Sequence, residues 1–349
     1  MQKKFISIIW GYHAQILSFD AKQNYHMLPI EVMKNAGYDC EIFAIDAQVK
    51  IEDDPNIVDG VRVVYYKNLL GYFSYLWKNR RALLYSNTLT LKTLMVGLFG
   101  KYSIFMPHDQ AIPLKEKKIK RLITLFFYRF FSSIRVVNKE EKDMLGIYNI
   151  HSRILPIPIS EAFYKKNEGE RSGFVFVGNL YHDKNPEFLI ETMKILSSKN
   201  DRNILHIYGE DRYNKNGKNF SELVRESGLE EKIKIHGFVP HDKLAGELAQ
   251  YMIYINTSIS EGQCLTAYEA SLAGCFPCLQ KIVAFPSVFQ SNALYHISPM
   301  ELAENIIFVL AHKEYALKCV SENQVMIQEK YGYDYLKNET RDYLLSFYR

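Results

Sequence analysis

The feature that most constrains the fold of this chain is a regular alternation of short apolar segments with helical patterns. Apolar segments of four to six residues, with the composition of buried strands, occupy 5–10, 40–45, 61–65, 82–85, 103–106, 134–137, 173–177, 204–208, 233–236 and 251–256. Helical patterns, such as that of 185–199, lie between them. Short apolar strands that alternate with helices favour parallel sheets with helices on both faces. We therefore expect an α/β fold of doubly wound, Rossmann-like sheets.

A proline-rich break near residue 157 divides this pattern in two. Pro156 and Pro158 restrain the backbone, and the charged segment 164–172 that follows cannot form a core. A chain of 349 residues has room for two domains. We expect an N-terminal domain over 1–157 and a C-terminal domain over 158–330, with a helix at about 331–349 that packs back on the first. Because such sheets bind ligands beyond the carboxyl ends of their strands, we expect the site in a cleft where the domains face each other.

Composition narrows the class of protein. With 48% hydrophobic and 23% charged residues, the chain has the composition of an ordered globular protein. Its longest apolar runs fall well short of the ~20 residues of a membrane-spanning helix, and Gly11 ends the first of them before a signal peptide could form. Five scattered cysteines without an export signal are expected to be reduced, in a cytoplasmic protein. Cys275 and Cys278 have redox spacing, but without a second ligand pair we expect them to be small buried residues.

The segment 251–277 is the most informative about chemistry. A buried strand leads into a polar loop, a helix begins near Leu265, and Gly274 ends it. The first N–H groups of such a helix, together with its dipole, form a site for an anion such as a phosphate. Glu269 follows in the first turns of the helix, where a carboxylate can accept hydrogen bonds from ribose hydroxyls, and Glu261 stands eight residues earlier. Two glutamates at this spacing also suit a solvated helix face.

The same segment resembles a known family. The Glu-x7-Glu pattern after Ser258, closed by Ala-Gly-x-x-Pro, is similar to that of family 4 of the retaining GT-B glycosyltransferases. Four further segments follow the family's order along nearly the whole chain: 174–180 followed by Lys184, 207–209, 235–240, and 105–109 with His108 at a strand end. The resemblance implies a GT-B fold, with two Rossmann-like domains facing across a cleft. It also implies transfer of a sugar from a UDP- or GDP-sugar with retention at the anomeric carbon, with no cofactor and no metal ion.

The sequence departs from the family pattern at three places. Asn179 stands where the family has arginine, which removes one of the two usual diphosphate cations and leaves Lys184 to act alone or with another arginine. The usual Glu-Gly-Phe-Gly ends here in Gln263 and Cys264, and Ser287 replaces a frequent glutamate. These changes bear on the donor sugar and its affinity, and a weakened or inactive enzyme is one alternative.

The roles implied by the resemblance follow the charge that develops during transfer. A retaining transfer builds positive charge at the anomeric carbon and negative charge on the leaving diphosphate. The resemblance places Glu261 and His108 at the donor sugar as catalytic residues, Lys184 at the diphosphate and Glu269 at the ribose. The donor-binding residues that it implies are Gly11, Gly178, Asn179, Lys184, Gly209, Phe238, Val239, Gly262, Gln263, Cys264, Leu265 and Glu269. The alternative interpretations are a turn residue for His108 and a surface lysine for Lys184.

Charge is distributed unequally along the chain. Residues 1–157 carry 22 Lys/Arg against 14 Asp/Glu, whereas 158–349 carry 21 against 25. Within the basic half, 115–135 has a helical pattern whose apolar stripe we expect to be core: Ile119, Leu122, Ile123, Phe126, Phe127, Phe130, Phe131 and Ile134. The face expected to point outward carries Lys117, Lys120, Arg121, Thr124, Tyr128 and Arg135.

A basic outer face suits contact with an anionic membrane surface. Each nearby Lys or Arg contributes about 1 kcal/mol to the free energy of binding to such a surface. We expect Lys117, Lys120 and Arg121 to face it, which in this family suits acceptors carried on a lipid diphosphate. Nucleic acid is the competing anionic partner, and it is not expected because no nucleic-acid-binding motif accompanies the basic residues.

The sequence therefore predicts a cytoplasmic hexosyl- or related glycosyltransferase, peripheral on the inner face of the cell membrane, that acts in cell-surface polysaccharide biosynthesis on a lipid-linked or oligosaccharide acceptor. One alternative is a GT-B enzyme with a soluble acceptor or a different reaction, such as phosphorolysis or epimerisation. Another is a catalytically weak GT-B protein that binds a nucleotide sugar or a partner transferase.

Overall fold

We analysed a computed structural model of the chain, which describes residues 3–10, 26–45, 57–58, 60–66, 68–87, 90–107, 118–164 and 170–348. The chain divides into two compact units, one comprising Met1–Pro158 with Tyr333–Arg349 and the other Ile159–Gly332. Among the described residues, no helix combines the length and the apolar composition needed to cross a membrane.

The first unit is built on one sheet of eight strands in the order 3-4-2-1-5-6-7-8. All strand pairs are parallel apart from the short antiparallel pair of β3 and β4. The strands are β1 (Lys4–Trp10), β2 (Asp39–Ile45), β3 (Ile57–Val58), β4 (Val61–Tyr65), β5 (Leu83–Asn87), β6 (Tyr102–Met106), β7 (Ser133–Val136) and β8 (Ser152–Ile154). The helices are α1 (Leu28–Asn35), α2 (Leu69–Lys78), α3 (Leu91–Phe99), α4 (Lys118–Tyr128), α5 (Lys139–Ile147) and, at the C-terminus, α13 (Tyr333–Leu345).

The helices of the first unit form two layers. The chain moves along the sheet in one direction through α1 and in the other through α2 to α5, and right-handed crossovers therefore place α1 on one face and α2 to α5 on the opposite face. The C-terminal helix α13 packs on α1, where the Tyr333 hydroxyl donates to the Glu31 carboxylate at 2.7 Å. The end of the chain thus belongs to the layer opposite α2 to α5.

Helix α4 exposes the apolar stripe that the sequence assigned to the core. Its buried residues are Thr124, Leu125 and Tyr128, and the Tyr128 ring lies 5.4 Å from that of Phe105 in β6. The exposed residues of the stripe are Ile119, Leu122, Ile123, Phe126 and Phe130. The predicted orientation of this helix is therefore wrong, because periodicity locates a stripe on a helix without saying which side meets the sheet.

The end of the predicted stripe is not helical. Helix α4 ends at Tyr128, so that Ile134 and Arg135 belong to strand β7, where side chains alternate between faces. Arg135 was expected to point outward and is instead buried, donating from Nε to the Leu155 carbonyl at 2.6 Å and from a terminal nitrogen to the Tyr85 hydroxyl at 2.8 Å.

The second unit is built on a parallel sheet of six strands in the order 11-10-9-12-13-14. The strands are β9 (Phe174–Val177), β10 (Leu205–Tyr208), β11 (Ile233–Gly237), β12 (Ile253–Asn256), β13 (Phe276–Gln280) and β14 (Leu294–His296). The helices are α6 (Pro186–Ser198), α7 (Phe220–Glu226), α8 (His241–Leu248), α9 (Leu265–Leu272), α10 (Pro286–Phe289), α11 (Pro299–Ala311) and α12 (Lys313–Tyr331).

This second sheet is covered on both faces. Successive residues of β12, Ile253 and Tyr254, are buried in two different apolar clusters, and so are Phe174 and Val175 of β9. Alternation between two cores is what a doubly wound parallel sheet requires. The polar ends of these strands are therefore the part of the sheet that can meet a ligand.

The cysteines Cys275 and Cys278 are buried in the second unit, as predicted. Burial raises the pKa of the Cys275 thiol to about 12 and also raises that of Cys278. Both therefore act as small apolar residues around strand β13.

Candidate functional site

The candidate site lies at the carboxyl ends of β9, β10 and β12, where three loops of the second unit meet. Leu180, after β9, donates its N–H to the Glu210 carbonyl after β10 at 2.9 Å. The loop after β12 is tied to the same region, because the Ile259 N–H donates to the Asp183 carbonyl at 2.9 Å and the Thr257 hydroxyl to the Lys184 carbonyl at 2.7 Å. The adjacent strands of a parallel sheet thus bring together segments that are 30 to 80 residues apart in sequence.

Glycine is required where β9 and β10 end. Gly209 has φ 150°, and a Cβ atom at this position would lie 2.1 Å from the Gly178 carbonyl oxygen. Asn179, the residue that replaces the family's arginine, turns its side chain to the neighbouring loop, where its Oδ1 accepts the Glu210 N–H at 2.8 Å. Asn179 therefore joins the two loops rather than adding a charge to them.

Lys184 and Glu261, predicted for the diphosphate and the sugar, form an ion pair. The Lys184 Nζ lies 2.5 Å from Glu261 Oε1, and both side chains are mostly buried. Burial opposes the charged form of Lys184, but the Glu261 charge and hydrogen bond outweigh it, and the pKa of Lys184 is raised. Lys184 is therefore a fixed cation beside the β12 loop and not a free surface lysine.

Helix α9 begins beside this pair with an unusual residue. Cys264 precedes the helix with φ 56° and ψ 69°, the left-handed region that favours glycine, and the family pattern has glycine there. The Asn256 amide approaches its Sγ at 3.5 Å, and burial raises the pKa of the Cys264 thiol to about 12. The Ala267 N–H donates to the Cys264 carbonyl at 3.0 Å within the first turn. The start of α9 is where the sequence predicts an anion site.

Glu269 lies one turn into α9, buried, and its partner is a histidine. His241, the first residue of α8, places Nε2 2.8 Å from Glu269 Oε1. The hydrogen bond to Glu269 raises the pKa of His241, and the half-exposed imidazole also lies 4.8 Å from the Phe163 ring. Because Oε1 faces His241, the carboxylate is held in one orientation.

The predicted donor-binding residues that the structure describes all belong to the second unit, in the loops after its strands or in α9. They are Gly178, Asn179, Lys184, Gly209, Phe238, Val239, Gly262, Gln263, Cys264, Leu265 and Glu269. Phe238 is exposed after β11, whereas Gln263 is buried. Gly11, His108 and Lys117, which the sequence analysis also predicted as site or membrane-facing residues, lie outside the described residues. Lys120 lies in α4, and Arg121 is half-buried on the side of α4 that carries Thr124 and Tyr128, away from the exposed stripe.

Two residues of the region were missed at the sequence level. His241 directly follows the matched segment 235–240, and its contact with Glu269 depends on how α8 and α9 pack. Arg212 follows the matched segment 207–209 and donates to the Tyr181 hydroxyl at 2.7 Å, while it also pairs with Glu210. Arg212 therefore lies beside the loop of Asn179, and it is a candidate for the second diphosphate cation that Asn179 does not supply.

The second unit is similar in sequence to a known family. Residues 159–326 match the family described as "Glycosyl transferases group 1". The chain is 25% identical over 142 residues to the "Capsular polysaccharide biosynthesis glycosyltransferase CapH" of Staphylococcus aureus, an alignment that covers 40% of this chain and 39% of that protein. The match therefore spans about two fifths of the curated relative.

Solved structures are similar over almost the whole chain, and two of them illustrate the likeness. Anabaena HepE in complex with UDP-glucose gives a TM-score of 0.74 at 14% identity, covering 98% of this chain and 99% of HepE. S. aureus TarM, in complex with fondaparinux, alpha-GlcNAc-glycerol and UDP, gives 0.72 at 11% identity, covering 99% and 100%. At this level of sequence identity the structural similarity shows the fold alone. It confirms the predicted fold class, with two doubly wound Rossmann-like units of the GT-B type.

Proposed function

We propose that this chain, whose residues 159–326 match the glycosyl transferases group 1 family, is a retaining glycosyltransferase that uses a nucleotide-sugar donor. The observation that carries the proposal is the grouping of Lys184, Glu261 and Glu269 around the start of α9, at the carboxyl ends of a parallel sheet. HepE and TarM, which share the fold, were solved with UDP-glucose and with UDP. A UDP- or GDP-sugar is therefore the donor we propose.

The charges of the site suit the bond that breaks. The bond between the anomeric carbon and the diphosphate oxygen breaks while a bond to the acceptor oxygen forms. The leaving diphosphate keeps the electron pair, so that negative charge grows on it, and it takes up the proton of the acceptor hydroxyl. Lys184 and the first N–H groups of α9 stabilise that charge, and Glu261 accepts a hydrogen bond from a donor-sugar hydroxyl. Lys184 and Glu261 pair directly. We therefore propose that the bound donor either lies between the two side chains or contacts Lys184 while Lys184 stays paired with Glu261. Every role is filled by a side chain or backbone N–H, and we propose a reaction without a metal ion.

We propose a glycan acceptor, carried on a lipid, in the synthesis of a cell-surface polysaccharide. The name of CapH refers to capsular polysaccharide, and the TarM structure contains alpha-GlcNAc-glycerol. We propose a cytoplasmic protein that is peripheral on the inner face of the cell membrane. The excess of basic residues in the first unit supports its contact with an anionic lipid surface.

A panel of nucleotide sugars, with release of free nucleotide measured with and without lipid-linked acceptors, tests the function. Glu261→Gln should lower kcat on the order of a hundredfold, because its contact is made at the sugar where charge develops. Glu231→Gln is the matched control, since Glu231 is exposed and pairs only with Lys234 among the contacts seen here. Nucleotide release that is equal in both variants would remove Glu261 from the reaction.

A second candidate function is binding of a nucleotide sugar without turnover. It is favoured by Asn179, which contributes a hydrogen bond where the family has a cation. In the same panel, this candidate predicts saturable binding of one nucleotide sugar, measured by calorimetry, without release of free nucleotide under any acceptor condition.

A further inference from the structure

The exposed stripe of α4 continues onto the neighbouring helix α3 and forms one apolar surface. We define this apolar surface by the six residues Leu98, Ile119, Leu122, Ile123, Phe126 and Phe130, whose exposed fractions range from 42% to 72%. Helices α3 and α4 pack against each other, and Gly97 leaves room for the Phe131 ring, which a Cβ at position 97 would meet at 2.9 Å. The Phe126 and Phe130 rings lie edge to face at 5.2 Å.

The apolar surface has the pattern of a helix lying flat in an interface. Its α4 members stand at 119, 122, 123 and 126, the spacing of a single helical face, and Thr124, Leu125 and Tyr128 hold the opposite side against the unit. By helical position Lys120 stands at one border of the face, and the exposed Arg129 follows directly after the end of α4. Apolar residues in the middle with basic residues at the borders are typical of helices that lie in the plane of an anionic bilayer.

The charge of the surrounding segment is one-sided. Residues 66–136 contain thirteen Lys/Arg and two Asp/Glu, so that this stretch carries more than the whole net charge of the first unit. Both acids, Asp109 and Glu116, lie outside the described residues. The described helices α2, α3 and α4 therefore contain no acidic residue. An apolar surface with basic borders and without acids complements an anionic lipid surface.

We propose that the apolar surface inserts into the interfacial region of an anionic bilayer, with the side chains of Leu122, Ile123 and Phe126 below the phosphate level. This inference rests on the proposed peripheral association and adds its mode, insertion in addition to charge attraction. Insertion predicts that a fraction of the binding survives high salt, because burial of apolar side chains is not screened, whereas charge attraction is screened within ~8 Å at physiological ionic strength. A surface bound by charge alone would be released completely.

Vesicle binding of the full chain separates the two modes. The probe is a vesicle of phosphatidylcholine with about 30 mol% phosphatidylglycerol. Binding is assayed by co-sedimentation in low salt and in about 1 M NaCl, where the Debye length is near 3 Å. We expect Leu122→Gln/Phe126→Gln to abolish the salt-resistant binding and to weaken low-salt binding by roughly tenfold or more. The control is Leu317→Gln/Val325→Gln on α12, because these residues are exposed to a similar degree in the second unit.

A tryptophan at the surface reports insertion directly. Phe126→Trp should gain fluorescence that shifts to the blue on vesicle binding and is quenched by brominated acyl chains, whereas Leu317→Trp should show neither change beyond the background of the native tryptophans. Circular dichroism of each variant in solution confirms that it is folded.

The outcomes distinguish this inference from the proposed location. Binding that salt removes completely, without bromolipid quenching, would overturn insertion and leave peripheral charge binding intact. No binding to any vesicle, with a dimer in sedimentation that Leu122→Gln/Phe126→Gln dissociates, would overturn both and make the apolar surface a contact between copies of the chain. Nucleotide release to a soluble acceptor is measured on the same variants and should be unchanged, so that failure of insertion is not mistaken for failure of the enzyme.

Discussion

Glu269 is the residue whose role is most sharply tested by kinetics. Its carboxylate is buried and faces His241, and the proposed ligand, the ribose, does not change charge during the reaction. A contact of equal strength in the ground state and the transition state contributes uniform binding. Glu269→Ala should therefore raise the donor KM more than it lowers kcat in steady-state kinetics. A fall in kcat at unchanged KM would contradict the proposed contact between Glu269 and the ribose.

His241 makes the stability of the second unit depend on pH. The hydrogen bond to Glu269 raises the pKa of His241 in the folded protein, so this contact stabilises the fold fully below the unfolded pKa of about 6.5 and loses that contribution as pH rises through the higher folded value. The difference in free energy of unfolding between the wild type and His241→Asn should shrink from pH 5.5 to pH 8.5, measured by urea denaturation. His312→Asn, an exposed histidine whose Nδ1 lies 2.8 Å from the Phe308 carbonyl, is the control. A difference that grows with pH would contradict the pairing.

Lys184 should matter more here than in a protein with both diphosphate cations. Asn179 is held by the Glu210 N–H, and Arg212 is the nearby arginine that the described loop offers. We expect Lys184→Ala to weaken binding of the nucleoside diphosphate at least tenfold, by more than Arg212→Ala, because hydrogen bonds to charged groups contribute about 1.5–3 kcal/mol. Calorimetry with UDP and GDP measures both. Unchanged affinity in Lys184→Ala would mean that another cation holds the diphosphate.

At the scale of elements, the sequence located most strands but not those that break its rules. Predicted segments such as 5–10 and 61–65 overlap β1 and β4 almost residue for residue. Strand β13 was missed because it contains Pro277, which normally argues against a central strand. The strands β3, β8 and β14 were missed because two or three residues carry no periodicity. The sequence predicted Glu261 at a strand end, and the structure has it in the loop between β12 and α9; Glu269 lies in the helix, as predicted. The ion pair with Lys184 and the contact with His241 depend on packing between elements.

Helix α4 shows the second limit of sequence patterns. Its period was correct, but the more apolar side, with Phe126 and Ile119, faces solvent, and the side with Thr124 and Tyr128 packs on the sheet. The expectation that the more apolar side of a helix packs on the sheet applies only when that side has no other apolar partner. If the apolar side of a helix contacts a bilayer or another molecule, the less apolar side can pack on the sheet instead.

The close approach of β9 and β10 gives a prediction at this scale. A side chain at Gly209 would require both a rarely adopted φ and movement of the Gly178 carbonyl. Gly209→Ala should lower the free energy of unfolding by about 3 kcal/mol, as overpacking does, and should weaken donor binding because the loops after both strands separate. Gly246→Ala in α8 is the control, since a Cβ there meets nothing within 4 Å. Equal unfolding midpoints for the two variants in urea would contradict the close approach.

At the scale of the whole molecule, the two units carry net charges of opposite sign. The first, Met1–Pro158 with Tyr333–Arg349, carries 25 Lys/Arg against 17 Asp/Glu, and the second, Ile159–Gly332, carries 18 against 22. An anionic surface attracts the first unit and repels the second, so the long-range field selects the same unit that carries the apolar surface. Charge should therefore determine the rate of association with the membrane and the affinity at low salt. The apolar surface should determine the fraction of protein that remains bound at high salt.

Reversing charge in the first unit tests this division of labour. Arg121 is half-buried and Arg129 is exposed, so Arg129 takes the place of Arg121 in the variant Lys117→Glu/Lys120→Glu/Arg129→Glu. It should weaken binding to anionic vesicles at low salt on the order of a hundredfold, at about 1 kcal/mol per lost cation, and slow transfer to a lipid-linked acceptor. Hydrolysis of the donor by water should stay unchanged, because none of the three residues belongs to the site after β9, β10 and β12. The control Lys199→Glu/Lys318→Glu/Lys330→Glu makes the same change of charge in the second unit. If both variants lose binding equally, only net charge matters, and the first unit has no preferred role at the membrane.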